Sequence, residues 1–265
     1  MSQRLKKNVK AVLFDLDGTL LDTEALSDKA MLEFYRTRGL LSEEMYQTII
    51  TRHDGRLPWE LKKQILGLRG SEWAPIVIRY AQKHWNVHNN NNNNNNISVQ
   101  DLWTGWEGHL SDLCAEVQAC PGATALVAAL AQRHIPLAIA TSSRRTAVMK
   151  KATNHGETLF RYFDDRRIVA GDDEAVRHGK PAPDIYWQAA QRLGVDPRDC
   201  LVVEDALSGV RAGKAAGCMV VAVPDPRFTA EEKAVFAAES DVVLESLWDF
   251  ETLDLGFPLQ LNRDG

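Results

Sequence analysis

The chain has 265 residues, of which 45% are hydrophobic and 25% charged, and its formal net charge is -5. This length suits one large domain or two smaller ones, and the composition is that of an ordinary globular protein. The acidic balance and the lack of a basic patch argue against a nucleic-acid partner, and no apolar run approaches the length of a membrane span.

The beginning of the chain and the cysteines favour the cytoplasm. The basic stretch Arg4–Lys7 is followed by only a brief apolar segment, unlike a secretory signal. The cysteines show no Cys-X-X-Cys spacing, so zinc and redox motifs have no support. We expect reduced thiols of a cytosolic protein at Cys114, Cys120, Cys200 and Cys218.

The first predicted strand ends in two carboxylates. The apolar run Val12–Phe14 is typical of a buried strand, and Asp15 and Asp17 follow it. Gly18 and Thr19 then form a turn. Taken alone, this pattern also fits ordinary turn chemistry or a fragment of a calcium loop, although the closing Glu of that loop is absent. At the carboxyl end of a strand it indicates a magnesium site, or a nucleophile with its acid/base partner.

Residues 23–117 lack strand-like runs and are predicted to form helices. This block interrupts the α/β pattern, so we interpret it as an inserted all-helical domain between core segments 1–22 and 118–265. Most of its tryptophans are expected to pack in the core of a small bundle. The block contains five of the seven tryptophans of the chain: Trp59, Trp73, Trp85, Trp103 and Trp106.

Three segments are expected to be disordered or frayed. Asn89–Asn96 is an uninterrupted asparagine run, which cannot bury enough apolar area to order itself. Residues 1–8 and roughly 258–265 are the ends of the chain, where fraying is common.

From about residue 118 onward, strand and helix patterns alternate. Such alternation predicts a Rossmann-like, doubly wound parallel sheet with helices on both faces. With the Asp15 strand, five strand ends converge on one crevice. The four later strands are Pro136–Ala140, Arg167–Ala170, Cys200–Val203 and Met219–Val223.

Polar residues lie after three of these strands, either directly at the strand end or in the loop that follows it. Thr141 and Ser142 come after a strand and before a helix, where a hydroxyl and backbone N–H groups face an anion. Lys180 lies in a loop restricted by two prolines. Glu204 and Asp205 add two carboxylates. These are the groups that a magnesium-assisted phosphoryl transfer needs.

The motifs, in this order, resemble the haloacid dehalogenase superfamily, in particular its phosphatases with a helical cap inserted after the first motif. The pattern Asp-X-Asp-Gly-Thr is met from Asp15 to Thr19, and the later motifs by Thr141, Lys180 and the Glu204–Asp205 pair. The segments around them are similar to the branch of pseudouridine-5'-phosphatase, glycerol-3-phosphatase and 2-deoxyglucose-6-phosphatase. This resemblance implies a small phosphorylated metabolite as substrate, without choosing among them.

The resemblance also implies roles. Asp15 would be the nucleophile that forms an aspartyl-phosphate, and Asp17 the general acid/base. Mg²⁺ would be held by Asp15 and Asp205, by the backbone carbonyl of Asp17, and by Glu204 directly or through water. Phosphate would be bound by Lys180, Thr141 and the Ser142 amide, together with Gly18 and Thr19 of the loop after the first strand.

The helical block would then be a lid, with its hinge at Asp22–Glu24. Arg56, in a His-Asp-Gly-Arg loop, either contacts the substrate or is a surface arginine, and the sequence favours neither. Three other polar residues are expected to be helix caps or turn formers: Ser143, Asp172 and Asp184.

Other functions stay open at this point. A sugar phosphomutase of the same fold is the nearest alternative, but Ser27 stands where similar mutases carry a His. A dehalogenase does not need the second acid, Asp17. A non-catalytic metabolite-binding protein on the same fold would usually have lost one of the motifs. A monomer with no membrane or nucleic-acid partner is expected.

Overall fold

The computed structural model describes residues 3–4, 9–65, 70–85, 87 and 97–263. The chain divides into two compact units. The core unit combines the described residues up to Asp22 with those from Val117 onward, and the helical unit runs from Thr23 to Glu116. Val117 therefore lies in the core unit and not in the helical block. The asparagine run and residues 1–2, 5–8 and 264–265 lie outside the described residues.

The core unit is built on a parallel sheet. Six strands of the described chain form it in the order β4-β3-β2-β5-β6-β7, and β1 pairs with β8 in a separate parallel ladder. The predicted doubly wound α/β class is confirmed. The strands are β1 (Gln3–Arg4), β2 (Ala11–Phe14), β3 (Leu137–Ala140), β4 (Ile168–Val169), β5 (Cys200–Glu204), β6 (Met219–Ala222), β7 (Val242–Val243) and β8 (Leu253–Asp254).

Helices alternate with the strands in the core unit and fill the helical unit. α6 to α10 belong to the core unit, and α1 to α5 to the helical unit. In chain order they are α1 (Thr23–Thr37), α2 (Glu43–His53), α3 (Trp59–Ile65), α4 (Gly70–His84), α5 (Val99–Leu113), α6 (Ala123–Gln132), α7 (Arg145–Ala152), α8 (Asp184–Leu193), α9 (Leu207–Ala215) and α10 (Ala230–Glu239).

The central strands are buried on both faces. Leu13 of β2 faces the cluster that α8, α9 and α10 form with the sheet. The alternate residues Val12 and Phe14 are fully buried as well. Since successive side chains of a strand point to opposite faces, both faces are covered, which is why the strands are continuous apolar runs. Register places Phe14 beside Ile139 of β3 and Val203 of β5, so the ends of these three strands lie together.

The helical unit has its own apolar core. Trp73 and Trp85 are buried in it, and Trp103 and Trp106 pack against it. The prediction that most tryptophans of this block are core residues is confirmed for these four. Within the unit, the Lys62 ammonium lies 2.5 Å from carboxylate oxygens of both Glu24 and Asp28, and Asp28 is fully buried.

Three more expectations need correction. Gln3 and Arg4, in the segment expected to fray, form β1 and pair with β8. The sheet has a sixth strand, β7, preceded by α10, which the sequence reading did not include. The chain is also packed beyond 258, because Leu259 and Leu261 are buried and the Leu261 N–H donates to Glu251 Oε1 at 2.7 Å. No helix in the described ranges combines the length and apolar character needed to cross a bilayer.

Candidate active site

Asp15 and Asp17 occupy the loop that leaves β2. The N–H of Asp15 donates to Val203 O at 3.0 Å, which ties the start of the loop to β5. Gly18 follows with a φ of 88°. A Cβ at Gly18 would lie 2.2 Å from Asp205 Oδ2, so only glycine lets the loop pass this close to the carboxylate.

Lys180 bridges two carboxylates at the centre of the site. Its Nζ lies 2.5 Å from Asp15 Oδ1 and 2.6 Å from Glu204 Oε1. The Lys180 side chain is 6% exposed and lies over the ring of Tyr186, 5.1 Å from its centroid. Buried charges need such partners, and here two anions and an aromatic face surround one cation.

Glu204 is held from four directions. Oε1 accepts from Lys180 and, at 2.7 Å, from the Tyr186 hydroxyl. Oε2 accepts from the N–H groups of Asp205 and Ala206, each at 3.1 Å. Both carboxylate oxygens are therefore engaged by protein groups, and Glu204 is 1% exposed. This arrangement fixes Glu204 as a rigid support for Lys180.

Asp17 is turned towards a second set of donors. Its Oδ2 accepts from the hydroxyls of Thr141 at 3.0 Å and Ser143 at 2.7 Å. Its Oδ1 forms an ion pair with Lys151. Thr141 is fully buried and its Oγ1 also accepts from the Ser143 N–H at 3.0 Å. The two carboxylates of the loop thus have separate lysines, Lys180 for Asp15 and Lys151 for Asp17.

The two environments shift the carboxyl groups in opposite directions. Burial raises the pKa of Asp15 to about 8, with a contribution from the charges of Glu204 and Asp17, although Lys180 opposes the shift. Burial would also raise the pKa of Asp17, but Lys151 and the two hydroxyls outweigh it and lower that pKa. Two neighbouring carboxyls with such different surroundings are typical of acid/base sites.

Three carboxylates of the site are close enough to share a cation. Ligand oxygens of Asp15, Glu204 and Asp205 lie within 4.8 Å of one another. Carboxylate oxygens are the donors that Mg²⁺ prefers, so the residues present fit a hard divalent cation. Because Glu204 is already engaged at both oxygens, Asp15 and Asp205 are the better candidates for direct contact.

The remaining predicted residues lie in different places. Thr19 Oγ1 is 3.4 Å from Asp205 Oδ1, next to the carboxylate cluster. Ser142 is an exposed residue of the loop after β3, and its carbonyl approaches Gly171 so closely that a Cβ there would lie 2.2 Å from Ser142 O. Arg56 belongs to the helical unit, in the turn between α2 and α3.

Of the three residues expected to be helix caps or turn formers, two are so in the structure and one is not. Asp172 Oδ1 accepts from the Arg145 N–H at 2.8 Å, at the start of α7, as expected for a cap. Asp184 accepts from the N–H groups of Arg177 and His178, as expected for a turn. For Ser143 the expectation was wrong, because its hydroxyl contacts Asp17 and Lys151.

Three residues of the site were not selected from the sequence: Lys151, Ser143 and Tyr186. Tyr186 lies on the apolar face of α8, and nothing in the sequence around it indicates a role in the site. Lys151 does have a signal, because it lies three residues after the buried Val148 on α7 and so shares its face. Ser143 follows Thr141 by two residues in the loop after β3. A serine just before a helix is typical of a cap or turn, and this pattern hides its contact with Asp17.

The core unit also contains a groove of about 660 Å³ away from these residues. It is lined by polar and small side chains of α6, of residues 154–162 and of residues 260–262. No Lys or Arg is among the described residues that line it. A phosphate group needs cationic or N–H donors, so the Lys180 site is the better candidate for phosphate chemistry.

Comparison with known proteins defines the class. A profile of haloacid dehalogenase-like hydrolases matches residues 9–217, most of the core unit and all of the helical unit. The chain belongs to this family, and it is an enzyme of the hydrolase class. The resemblance inferred from the motifs is therefore confirmed.

Individual relatives narrow the comparison. The chain is 34% identical to a probable pseudouridine-5'-phosphatase of Drosophila melanogaster, covering 97% of this chain and 98% of the relative. It is also 34% identical to (DL)-glycerol-3-phosphatase 2 of Arabidopsis thaliana, covering 95% of this chain and 92% of that protein. Among solved structures, a haloacid dehalogenase family hydrolase of Deinococcus radiodurans with bound phosphate and sodium is similar, with a TM-score of 0.68 and 27% identity over 92% of this chain and 94% of that one.

Proposed function

We propose that the chain is a Mg²⁺-dependent phosphatase that hydrolyses a small phosphorylated metabolite through an aspartyl-phosphate at Asp15. The chain is a hydrolase of phosphoric monoesters. The observation that carries the finer proposal is the buried Asp15 carboxylate, held by Lys180 at the end of β2 beside Glu204 and Asp205. A sugar, polyol or nucleoside monophosphate is the proposed substrate class, supported by relatives named as phosphatases of pseudouridine 5'-phosphate and glycerol 3-phosphate.

In the first step Asp15 attacks phosphorus. A bond forms between a carboxylate oxygen of Asp15 and the phosphorus atom, and the bond from phosphorus to the ester oxygen breaks. The leaving alkoxide takes a proton from Asp17. Lys180 faces Asp15 and Glu204, so its ammonium offsets the repulsion between the dianionic phosphate and the carboxylates.

In the second step water releases the phosphate. The water oxygen bonds to phosphorus as the bond to Asp15 breaks, and the proton of the water passes to Asp17. The Asp15 carboxylate is then free again, and the proton that Asp17 took from the water is available for the next leaving group. Asp17 serves both steps, which requires its carboxylate to be held at a defined place.

The phosphoryl oxygens would be bound by groups around Asp15. We assign Thr141 and the Ser142 amide to the equatorial oxygens, together with Lys180 and the loop of Gly18 and Thr19. In the structure the Thr141 hydroxyl donates to Asp17. Because a hydroxyl has one proton to donate, binding of phosphate by Thr141 would require it to leave Asp17.

Mg²⁺ would be held by Asp15 and Asp205 with the backbone carbonyl of Asp17, and Glu204 would act through water or through Lys180. When bound, it supplies positive charge that offsets the repulsion between the phosphate and the anionic nucleophile. The cluster of three carboxylates supports a divalent ion at this place.

The helical unit is proposed to be the cap that selects the substrate. Arg56 would contribute a cation to a hydroxyl or a second anionic group of the substrate, and Asp22–Glu24 would be the hinge. Hydrolysis is favoured over phosphomutase chemistry because Ser27, on α1, stands where the similar mutases carry a His. A reducing compartment, the cytoplasm, is supported by the four cysteines, which form no disulfide among the described residues. We propose a monomer.

The direct test is phosphate release from a panel of phosphorylated nucleosides, sugars and polyols. The panel is run with Mg²⁺ and with EDTA, and Asp15→Asn is the catalytic control. We expect release that needs Mg²⁺ and is lost in Asp15→Asn, with one class of substrate preferred. No release from any member, with the protein folded, would contradict the phosphatase, and isomerisation of a sugar phosphate without release would indicate the mutase.

A further inference from the structure

Resting on the proposed function, we propose that Lys151 is a positioning residue, which with Ser143 holds the Asp17 carboxylate where it takes the proton of the attacking water. Lys151 lies on α7 and belongs to none of the sequence motifs. It is separated from Asp17 by 134 positions in the chain, so the fold alone brings them together.

The contacts define the orientation of Asp17. Lys151 pairs with Oδ1, whereas Ser143 and Thr141 donate to Oδ2 at 2.7 and 3.0 Å. Each carboxylate oxygen therefore has its own donor, and rotation of the carboxylate about its own axis would break contacts at both ends. Orientation by donors at both oxygens is what a base needs when a misplacement of 1 Å can lower the rate ~100-fold.

Ser143 links the lysine to the other donors. Its hydroxyl accepts from Lys151 Nζ at 2.9 Å and donates to Asp17 Oδ2. The Lys151 side chain is 7% exposed, whereas that of Asp17 is 27% exposed. The lysine is thus a fixed, shielded anchor, and the carboxylate it holds faces the more open side.

Burial of a lysine on a surface helix needs an explanation. The adjacent Lys150 is exposed, as a lysine on such a helix usually is. Lys151 instead loses its hydration and contacts Asp17 and Ser143. After Asp17 passes its proton to the leaving group, the carboxylate is anionic, and Lys151 stabilises that form until water attacks. Lys151 would therefore matter most in the second step.

The test separates the two steps with esters of different leaving groups. 2,4-Dinitrophenyl phosphate needs no proton on its leaving group, so its first step should not depend on Asp17, whereas an alkyl phosphate of the panel needs Asp17 in both steps. Rapid-mixing kinetics are measured with Mg²⁺ on the wild-type protein, on Lys151→Met and on the matched control Lys150→Met.

For Lys151→Met we expect a burst of one dinitrophenolate per active site, followed by steady-state turnover roughly 100-fold slower than that of Lys150→Met, in line with the usual contribution of a general base. With the alkyl phosphate the same variant should be slow from the start, without a burst. Ser143→Ala should show the same pattern more weakly, and Lys151→Arg should recover part of the turnover. A merely structural role would reduce the burst amplitude along with the rate.

Two results would overturn the inference. One is steady-state turnover of folded Lys151→Met within about threefold of Lys150→Met, which is too small a change for a base that has lost its position. The other is an equal loss of turnover with both esters in Ser143→Ala, without a burst of dinitrophenolate. Ser143→Ala is also the variant that decides the question if Lys151→Met does not fold. Failure of the wild-type protein to hydrolyse either ester would instead remove the proposed function on which the inference rests.

Discussion

Gly209 packs directly against the carboxylate of Glu204. A Cβ at Gly209 would lie 1.6 Å from Glu204 Oε1 and 2.5 Å from Oε2, so this turn of α9 and the carboxylate cannot both stay in place if the glycine gains a side chain. Glu204 in turn holds Lys180 at 2.6 Å. A residue with no functional group therefore controls the position of the central lysine.

We predict that Gly209→Ala displaces Glu204 and lowers kcat by roughly 10- to 100-fold, since small misplacements of catalytic groups are costly. The free energy of unfolding should fall by about 1–3 kcal/mol, as for other overpacked core positions. Gly108→Ala is the matched control, because Gly108 lies in α5 and a Cβ there meets nothing within 4 Å. Phosphate-release kinetics and urea unfolding check both values. Equal effects of the two substitutions would contradict this account of Glu204.

A second prediction concerns the hydroxyl of Tyr186. In Tyr186→Phe, Glu204 Oε1 loses one donor and keeps Lys180. We expect a loss of about 1–3 kcal/mol in the free energy of unfolding, because a buried acceptor is left with fewer partners. The kcat should also fall, since Glu204 and Lys180 are less firmly oriented. Urea unfolding and kinetics are compared with those of Tyr162→Phe, a variant in the same unit but outside the site. Equal stability and kcat of the two variants would show that the Tyr186 hydroxyl does not support the site.

The difference between Lys180 and Lys151 shows what the sequence predicts and what it does not. Asp15 and the Glu204–Asp205 pair follow strands, and Lys180 directly precedes a Pro-Ala-Pro segment, so local patterns place them at one edge of the sheet. Lys151 stands beside another lysine on a helix, and only the fold decides which of the two turns inward. Its partner lies 134 positions away.

The same reasoning applies to the fold. β2, β3, β5 and β6 are apolar runs of four or five residues, long enough to be recognised. β7 has two residues, and pairing with β6 defines it more than its own composition does. Short edge strands of this kind are therefore not predicted from the sequence pattern. The contact between Asp17 and Ser143 cannot be predicted from the pattern either, because both residues lie in loops whose course depends on tertiary contacts.

The helical unit provides a stability prediction. Burial alone would lower the pKa of Lys62, but the carboxylates of Glu24 and Asp28 outweigh it and raise that pKa. Replacing Lys62 with Met leaves the fully buried Asp28 without this cation, which should lower the free energy of unfolding by about 3–5 kcal/mol. Lys63→Met, at the adjacent exposed position, should change it by less than about 0.5 kcal/mol. Tryptophan fluorescence in urea follows the unfolding of this unit, and similar values for the two variants would contradict the role of Lys62 as the buried partner of Asp28.

The pH dependence of activity should depend on Mg²⁺. With the pKa of Asp15 raised to about 8 in the absence of metal, its reactive anion forms only as the pH rises through that value. At pH 7 only ~10% of the carboxyl would be ionised. A cation beside Asp15 stabilises the anion and lowers the pKa, so the acidic limb of kcat/KM should move to lower pH as the Mg²⁺ concentration increases. Profiles at limiting and saturating Mg²⁺ test this, and an acidic limb that stays in place or moves to higher pH would be evidence against a metal beside Asp15.

The central claim is that Asp15 carries the phosphoryl group during turnover. The most direct measurement is to quench the enzyme with substrate and Mg²⁺ in the steady state and reduce it with borohydride, which converts an aspartyl-phosphate to homoserine, and then to locate the product by peptide mass spectrometry. We predict homoserine at position 15, absent without substrate and more abundant in Lys151→Met with 2,4-dinitrophenyl phosphate. Reduction at another carboxylate, or none while phosphate is being released, would contradict the claim.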